Sequence, residues 1–349
     1  MHSTLLGPLA VKHGRAIALI RELGSVVVAF SGGVDSTLVA ALAFEAVGSR
    51  AIAAIDASPS LPEDELRDAR AAAAQIGIAL IALETNELAD PAYASNPADR
   101  CYHCKRALFD ALDPIARERG ATVVDGYNAD DAAEVLHGRR AAAEHDVRSP
   151  LYEADLSKAE VRALAAALGL PTADKPAAAC LASRIPTGTP VTLEALRQIE
   201  RAERALRALG LREFRVRHHG DIARIETAPV EIALAIAQRE AIVRELTNAG
   251  YRYVALDLAG YRRGSVAASA LRPITLDLTA VTEWPWTKPS CGRCWRPSPP
   301  ERCRSATRSR DCALSRCGTS VTRASTRSVR SARASRRCST PPANHRIRS

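Results

Sequence analysis

The chain has 349 residues, 47% of them hydrophobic, with a formal charge of +9, enough length for two domains and a sizeable core. That charge is uneven: from Thr287 onward 16 Lys and Arg stand against Glu301 and Asp311, so this segment carries +14 while residues 1–286 carry −5. A nucleic-acid reading of the high pI would therefore rest on the tail alone; with no run near the roughly 18 apolar residues of a spanning helix and no cleavable leader around Lys12, Arg15 and Arg21, a cytoplasmic protein without membrane contact is expected.

From residue 14 to 128 strands and helices alternate. "SVVVAF" (25–30), "AIAAIDAS" (51–58), "IALIALET" (78–85) and "ATVVDGYN" (121–128) are continuous apolar runs, as expected of strands covered on both faces of a parallel sheet. The helical stretch at 62–76 opens with Pro62, Glu63, Asp64 and Glu65, a first turn suited to carboxylates. This pattern predicts an α/β, doubly wound parallel sheet. "SKAE" (157–160) reads as a capping box, and Gly169 and Pro171 close the helix it opens.

A second unit follows the loop "PTADKPAAACLASRIPTGTP". A helix over 192–209, strands "EFRVRHH" and "IARIET", a helix "PVEIALAIAQREAIVREL" and a strand "YRYVALDL" predict a small α+β domain of order αββαβ. The expected domains are residues 1–185, 186–283 and a basic tail over 284–349. That tail lacks apolar periodicity and holds six of the nine cysteines, so it reads as disordered or as a high-GC frame translated out of register. Half a zinc site at Cys291 and Cys294, or a nucleic-acid-binding arm, are the rival readings.

The chemistry starts at "SGGVDS". Ser31, Gly32 and Gly33 let successive amide N–H groups converge, and a helix beginning near Asp35 adds its positive end, which makes an anion cradle. The lysine of a GxxxxGKS/T loop is absent, as is GxGxxG, so neither γ-phosphate transfer nor dinucleotide binding is the natural reading. Two further features carry sulfur. Cys101 and Cys104 form a C-x2-C pair in "DRCYHCK", compatible with zinc, an iron–sulfur cluster, a redox pair or coincidence, and Cys180 lies in a polar loop beside Ser183 and Arg184 that favours the thiolate. Arg215 and Arg217 alternate in "FRVRHH", so both are expected on one strand face, as a phosphate clamp or as a solvated basic edge.

SGGVDS resembles the PP-loop of the ATP-pyrophosphatase superfamily, an adenine nucleotide α-hydrolase-like fold. The resemblance implies cleavage between the α and β phosphates of ATP, with Ser31, Gly32, Gly33 and Ser36 on pyrophosphate, Asp35 helping to hold Mg2+, and Ser58 and Gly126 beside the adenosine. Asp130 and Asp131 read equally as a solvated loop end or a metal contact. "SGGVDSTL", "DRCYHCK", "DGYNADD", "CLASRIP", "FRVRHHG", "ARIE" and "LDLAGYRRGS" occur in the order found in the LarE family of ATP-dependent sulfur transferases, from about residue 10 to 265. Membership implies that pyridinium-3,5-biscarboxylic acid mononucleotide is adenylated on a carboxylate and that sulfur then displaces AMP. It implies either sacrifice of Cys180, which ends as dehydroalanine, or a 4Fe-4S cluster on Cys101, Cys104 and Cys180 that carries sulfide. Three thiolates in this chain favour the cluster.

Glu203 and Glu226 match substrate-pocket positions of the family, although their local sequence reads as surface charge. Arg184 is grouped with them, and His218 and His219 read as strand-end residues. A small-molecule nucleotide substrate and a homo-oligomer are expected. A tRNA thiolase or amide synthetase is the alternative enzyme, set against by the acidic body and the 4% aromatic content. A non-enzymatic binder acting through the tail is the alternative from another class.

Overall fold

The computed structural model describes residues 7–133, 137–176 and 179–261. The expectations for the tail, for the end of the second domain near residue 283 and for the last residues of "LDLAGYRRGS" lie outside them.

The chain opens with α1 (Pro8–Leu23), β1 (Val26–Ala29), α2 (Val34–Val47), β2 (Ala51–Asp56), α3 (Glu63–Ile76) and β3 (Ala79–Leu83). It continues through α4 (Pro91–Ala94), α5 (Arg100–Arg119), β4 (Thr122–Val124), α6 (His137–Glu144), α7 (Pro150–Glu153) and α8 (Lys158–Ala167). The four strands form a parallel sheet in the order β3-β2-β1-β4. Side chains alternate across it as strand geometry requires. Val26 and Val28 pack with α1, α2, α3 and α8, whereas Val27 and Ala29 pack with Phe109 and Leu112 of α5 and with α6. The result is the expected three-layer α/β arrangement.

All of β1 is buried, as is β2 up to Asp56. The expectation of two covered faces fails for β3, where Ala79 and Ala82 are exposed. β3 is the sheet edge, and an apolar run alone does not separate an edge strand from a central one. The α8 capping box forms: Ser157 Oγ accepts from the Glu160 amide, and Glu160 Oε2 accepts from the Ser157 amide at 2.8 Å.

The second unit comprises α9 (Leu193–Ala208), β5 (Phe214–His219), β6 (Ile222–Thr227), α10 (Ile232–Ala237), α11 (Arg239–Asn248) and β7 (Tyr253–Leu256). β5 and β6 are antiparallel, and β7 lies parallel to β6. The order is the predicted αββαβ with one difference. The single helix expected over 229–246 breaks at Gln238, whose side chain donates to the Leu209 carbonyl at 2.8 Å. A cluster of Tyr93, Leu181, Ile185, Val191, Leu196 and Ile199 joins the loops beyond the parallel sheet to α9.

Candidate active site

The strand order reverses between β1 and β4, and a crevice outside the carboxyl ends of such strands is the usual ligand position in an open α/β sheet. Residues 31–33 turn there from β1 into α2. Gly32 has φ +69°, and a Cβ on it would lie 2.7 Å from the Ala69 Cβ, so backbone and packing both require glycine. Gly33 caps α2 without a side-chain acceptor, which leaves first-turn amides for an anion. Ser36 Oγ braces the loop, accepting from the Ser31 amide at 3.1 Å and donating to the Gly33 carbonyl at 3.2 Å.

Gly126 closes the other side. A Cβ there would come within 2.8 Å of the Ser36 amide nitrogen and 2.9 Å of the Asp35 Cβ, so the loop after β4 reaches the α2 N-terminus only as glycine. Ser31, Asp35, Ser36 and Gly126 line one cleft of about 380 Å³, together with Cys101 and Lys105. Ser58 is buried after β2 and is not among the lining residues.

Two side chains that motif reading passed over organise this cleft. Asp35 pairs with Lys158, the first residue of α8, and accepts from Asn128 Nδ2 at 3.2 Å. Lys158 was legible only as a helix start, because the capping box accounts for its position and says nothing of where its ammonium ends. Asp130 and Asp131 accept from backbone amides of Lys158 and Asn128, and Asp131 also lines the cleft. Asp35 offers a carboxylate beside an anion cradle, which fits Mg2+, an ion that takes one or two carboxylates and completes its shell with phosphate oxygens and water.

The C-x2-C pair lies on the first turns of α5 rather than in a loop, so Cys101 and Cys104 share a helix face. Cys180 precedes a 3-10 turn, Leu181–Arg184. Cys101 reaches the protein surface, yet its surroundings desolvate it enough to raise its pKa; Cys180 is the next cause and Arg100 opposes both. Burial pushes the Cys104 thiol up to about 12, again with Cys180 the second cause. Cys104 and Cys180 also pack on the same cluster around Tyr93 and Leu181. The three thiols therefore share a neighbourhood, and soft thiolates are the right donors for an iron–sulfur cluster. Among the described residues, no three His, Cys, Asp or Glu side chains are gathered into one coordination sphere.

Glu203 and Glu226 are not surface charges: they are 6% and 0% exposed. Glu203 takes a two-pronged ion pair from Arg184, at 2.9 and 3.0 Å. Arg184 spends its remaining donors on the Ala179 and Cys180 carbonyls, so its charge is matched by Glu203 in place of the electropositive setting expected around Cys180. Arg217 pairs with Glu226 at 2.8 Å and donates to the Ser183 carbonyl at 2.9 Å. Arg215 lies 5.1 Å from the Tyr261 ring centroid, its pKa lowered first by desolvation and then by Arg184. With Lys175, Ala179, Arg184, Glu203 and Arg204 it lines a second cleft of about 320 Å³. His218 is buried within β5 and meets the Tyr251 hydroxyl at 3.1 Å, while His219 ends the strand.

A family model described as NAD synthase matches residues 20–186. The chain is 46% identical over 248 residues to an uncharacterized protein of Synechocystis, covering 70% of this chain and 92% of that one. It is 38% identical over 261 residues to the pyridinium-3,5-bisthiocarboxylic acid mononucleotide synthase of Lactiplantibacillus plantarum, covering 74% and 95%. An uncharacterized protein of Methanocaldococcus jannaschii is 28% identical over 238 residues, covering 68% and 90%.

Proposed function

This chain belongs to the LarE family of ATP-using PP-loop synthases, and on that premise we propose that one cleft holds ATP beside a sulfur-bearing thiol while the other holds the mononucleotide that is adenylated and then takes sulfur. The enzyme is an ATP-dependent sulfur transferase that turns the carboxylates of pyridinium-3,5-biscarboxylic acid mononucleotide into thiocarboxylates. A substrate carboxylate oxygen attacks the α-phosphorus, the bond to the bridging oxygen breaks, and pyrophosphate leaves an acyl adenylate behind. Sulfur then attacks the acyl carbon and AMP leaves with the bonding pair. A second round treats the other carboxylate.

The first-turn amides of α2, with Ser31 and Ser36, hold pyrophosphate. Asp35 would hold Mg2+, and Lys158, paired with Asp35, would turn its ammonium to phosphate charge that the loop, having no lysine of its own, leaves unmatched. Gly126 lets the β4 loop close on the nucleotide. The mononucleotide, carrying a phosphate and two carboxylates, suits the second cleft, where Arg215 and Lys175, the latter paired with Glu65 at 2.7 Å, would be the direct contacts. Arg184 and Arg217, matched by Glu203 and Glu226, shape that cleft by holding the backbone of residues 179–183.

The observation that carries the sulfur half is that Cys101 lines the nucleotide cleft. The NAD synthase match covers the part that amide-forming and sulfur-forming enzymes share, so the nucleophile decides, and here a thiol meets the adenylate. A 4Fe-4S cluster on Cys101, Cys104 and Cys180 would keep one iron free of protein ligands and able to hold hydrosulfide. The donor chemistry and shared neighbourhood of the thiols support it; the alternative is Cys180 giving up its own sulfur.

Given ATP, Mg2+ and the biscarboxylated nucleotide, Cys180→Ala is expected to release pyrophosphate at the wild-type rate and to form no thiocarboxylate. Undiminished thiocarboxylate from that variant would remove both sulfur routes. Intact mass after one turnover separates them: an unchanged Cys180 supports delivery, and dehydroalanine supports sacrifice.

A further inference from the structure

Asn96 and Arg100 stand at a junction that the reaction as described does not use. Asn96, in the turn between α4 and α5, adopts φ +56°, a left-handed conformation that asparagine tolerates better than most residues. It is 1% exposed, and its amide nitrogen donates to the carbonyls of Ile185 at 3.3 Å, Pro186 at 2.8 Å and Thr189 at 2.9 Å. Its own carbonyl accepts from the Gly188 amide at 2.8 Å, so the loop after Cys180 is laced to this one residue. Arg100 donates to Asn96 Oδ1 and, at 2.9 Å, to the carbonyl of Ala182, two residues beyond Cys180. Arg100 immediately precedes Cys101 at the start of α5, and its charge opposes the rise in the Cys101 pKa. Arg100 thus touches both thiol-bearing segments at once, and Asn96 fixes the guanidinium between them.

We propose that Arg100, held by Asn96, is the positioning residue that sets the Cys180 turn against Cys101 and Cys104, so that the three thiols act as one soft-ligand site. The inference rests on the sulfur-transfer reading and adds to it the device that aligns the donors. Arginine suits this position because its rigid guanidinium bonds the Ala182 carbonyl and the Asn96 amide oxygen together, whereas a lysine offers one flexible point charge. Glu203 of α9, through its pair with Arg184, and Arg217 of β5 hold the same turn from the other side, so removal of the clip misaligns Cys180 without releasing the turn.

The test uses reduced, cluster-free full-length protein whose six tail cysteines are replaced by serine, so that only Cys101, Cys104 and Cys180 remain, and arsenite, which condenses with three thiols to give a tris-thiolate and water. Wild type is expected to bind arsenite tightly and Cys180→Ala to bind it weakly. Arg100→Ala and Asn96→Gly, the latter keeping the left-handed backbone, are expected to lose affinity roughly 10- to 100-fold, the usual cost of removing a partner that orients a ligand. Arg100→Lys should fall between them and wild type. Pyrophosphate release at the wild-type rate in Arg100→Ala and Asn96→Gly shows that the nucleotide cleft is intact in the clip variants; if Arg100→Ala does not fold, Asn96→Gly decides. Wild-type arsenite affinity in the clip variants, with Cys180→Ala still weak, overturns the clip alone. Arsenite affinity that ignores Cys180→Ala overturns the three-thiol site itself and the clip with it.

Discussion

Cys104 is the residue whose setting most constrains the chemistry. Burial pushes its thiol up to about 12 from an ordinary 9.0, so without a metal it stays protonated and is no nucleophile. A thiol pKa raised by folding contributes stability that is whole below the unfolded value and is lost as pH rises through the folded one. The cluster-free protein should therefore melt at progressively lower temperature as pH climbs above 9.0 toward 12, and Cys104→Ala should flatten that decline. Equal slopes for both proteins would show that Cys104 is not buried as described. The C-x2-C spacing was plain in the sequence, but not its place on a helix, because nothing in "DRCYHCK" separates a loop from a first turn. Lys158 was less legible still: a long flexible stem lets its charge act away from its own helix, at Asp35.

At the scale of elements, α9 and the turn after Cys180 are joined by the Arg184–Glu203 pair, with side chains only 4% and 8% exposed. Removing one partner of a buried pair leaves the other charge uncompensated, at a cost of about 3–5 kcal/mol. Glu203→Gln should lower the unfolding free energy from urea titration by that order, and Arg184→Met with Glu203→Leu should recover most of the loss, since two apolar groups leave no stranded charge. A double variant as unstable as the single one would mean that the pair is not self-contained. The burial of Glu203 was readable after all: it follows Leu196 and Ile199 and precedes Leu206 at three- and four-residue steps, the apolar stripe of α9. Its charge disguised its position. The β3 edge and the break at Gln238 were not readable, because each depends on which neighbour covers the element and on a tertiary bond to Leu209.

Over the whole molecule, the parallel sheet was legible because β1 and β2 are buried on both faces and so show unbroken apolar runs. The αββαβ order of the second unit was legible from its alternating strands. Neither pattern could show that the segment carrying Cys180 is tied both to the nucleotide-binding layer, through Asn96 and Arg100, and to the second unit, through Arg184 and Arg217. That double attachment fixes the Cys180 segment between the two, and the thiol of Cys101 at the nucleotide cleft is the basis on which sulfur transfer is proposed for this site. The most direct test supplies wild-type protein with ATP, Mg2+, the biscarboxylated mononucleotide and sulfide under anaerobic conditions, and counts pyrophosphate and product by mass spectrometry. Equimolar pyrophosphate and thiocarboxylate, with both dependent on the mononucleotide, is the expected result; pyrophosphate accompanied by an amide when ammonia is added, and no thiocarboxylate, would contradict it.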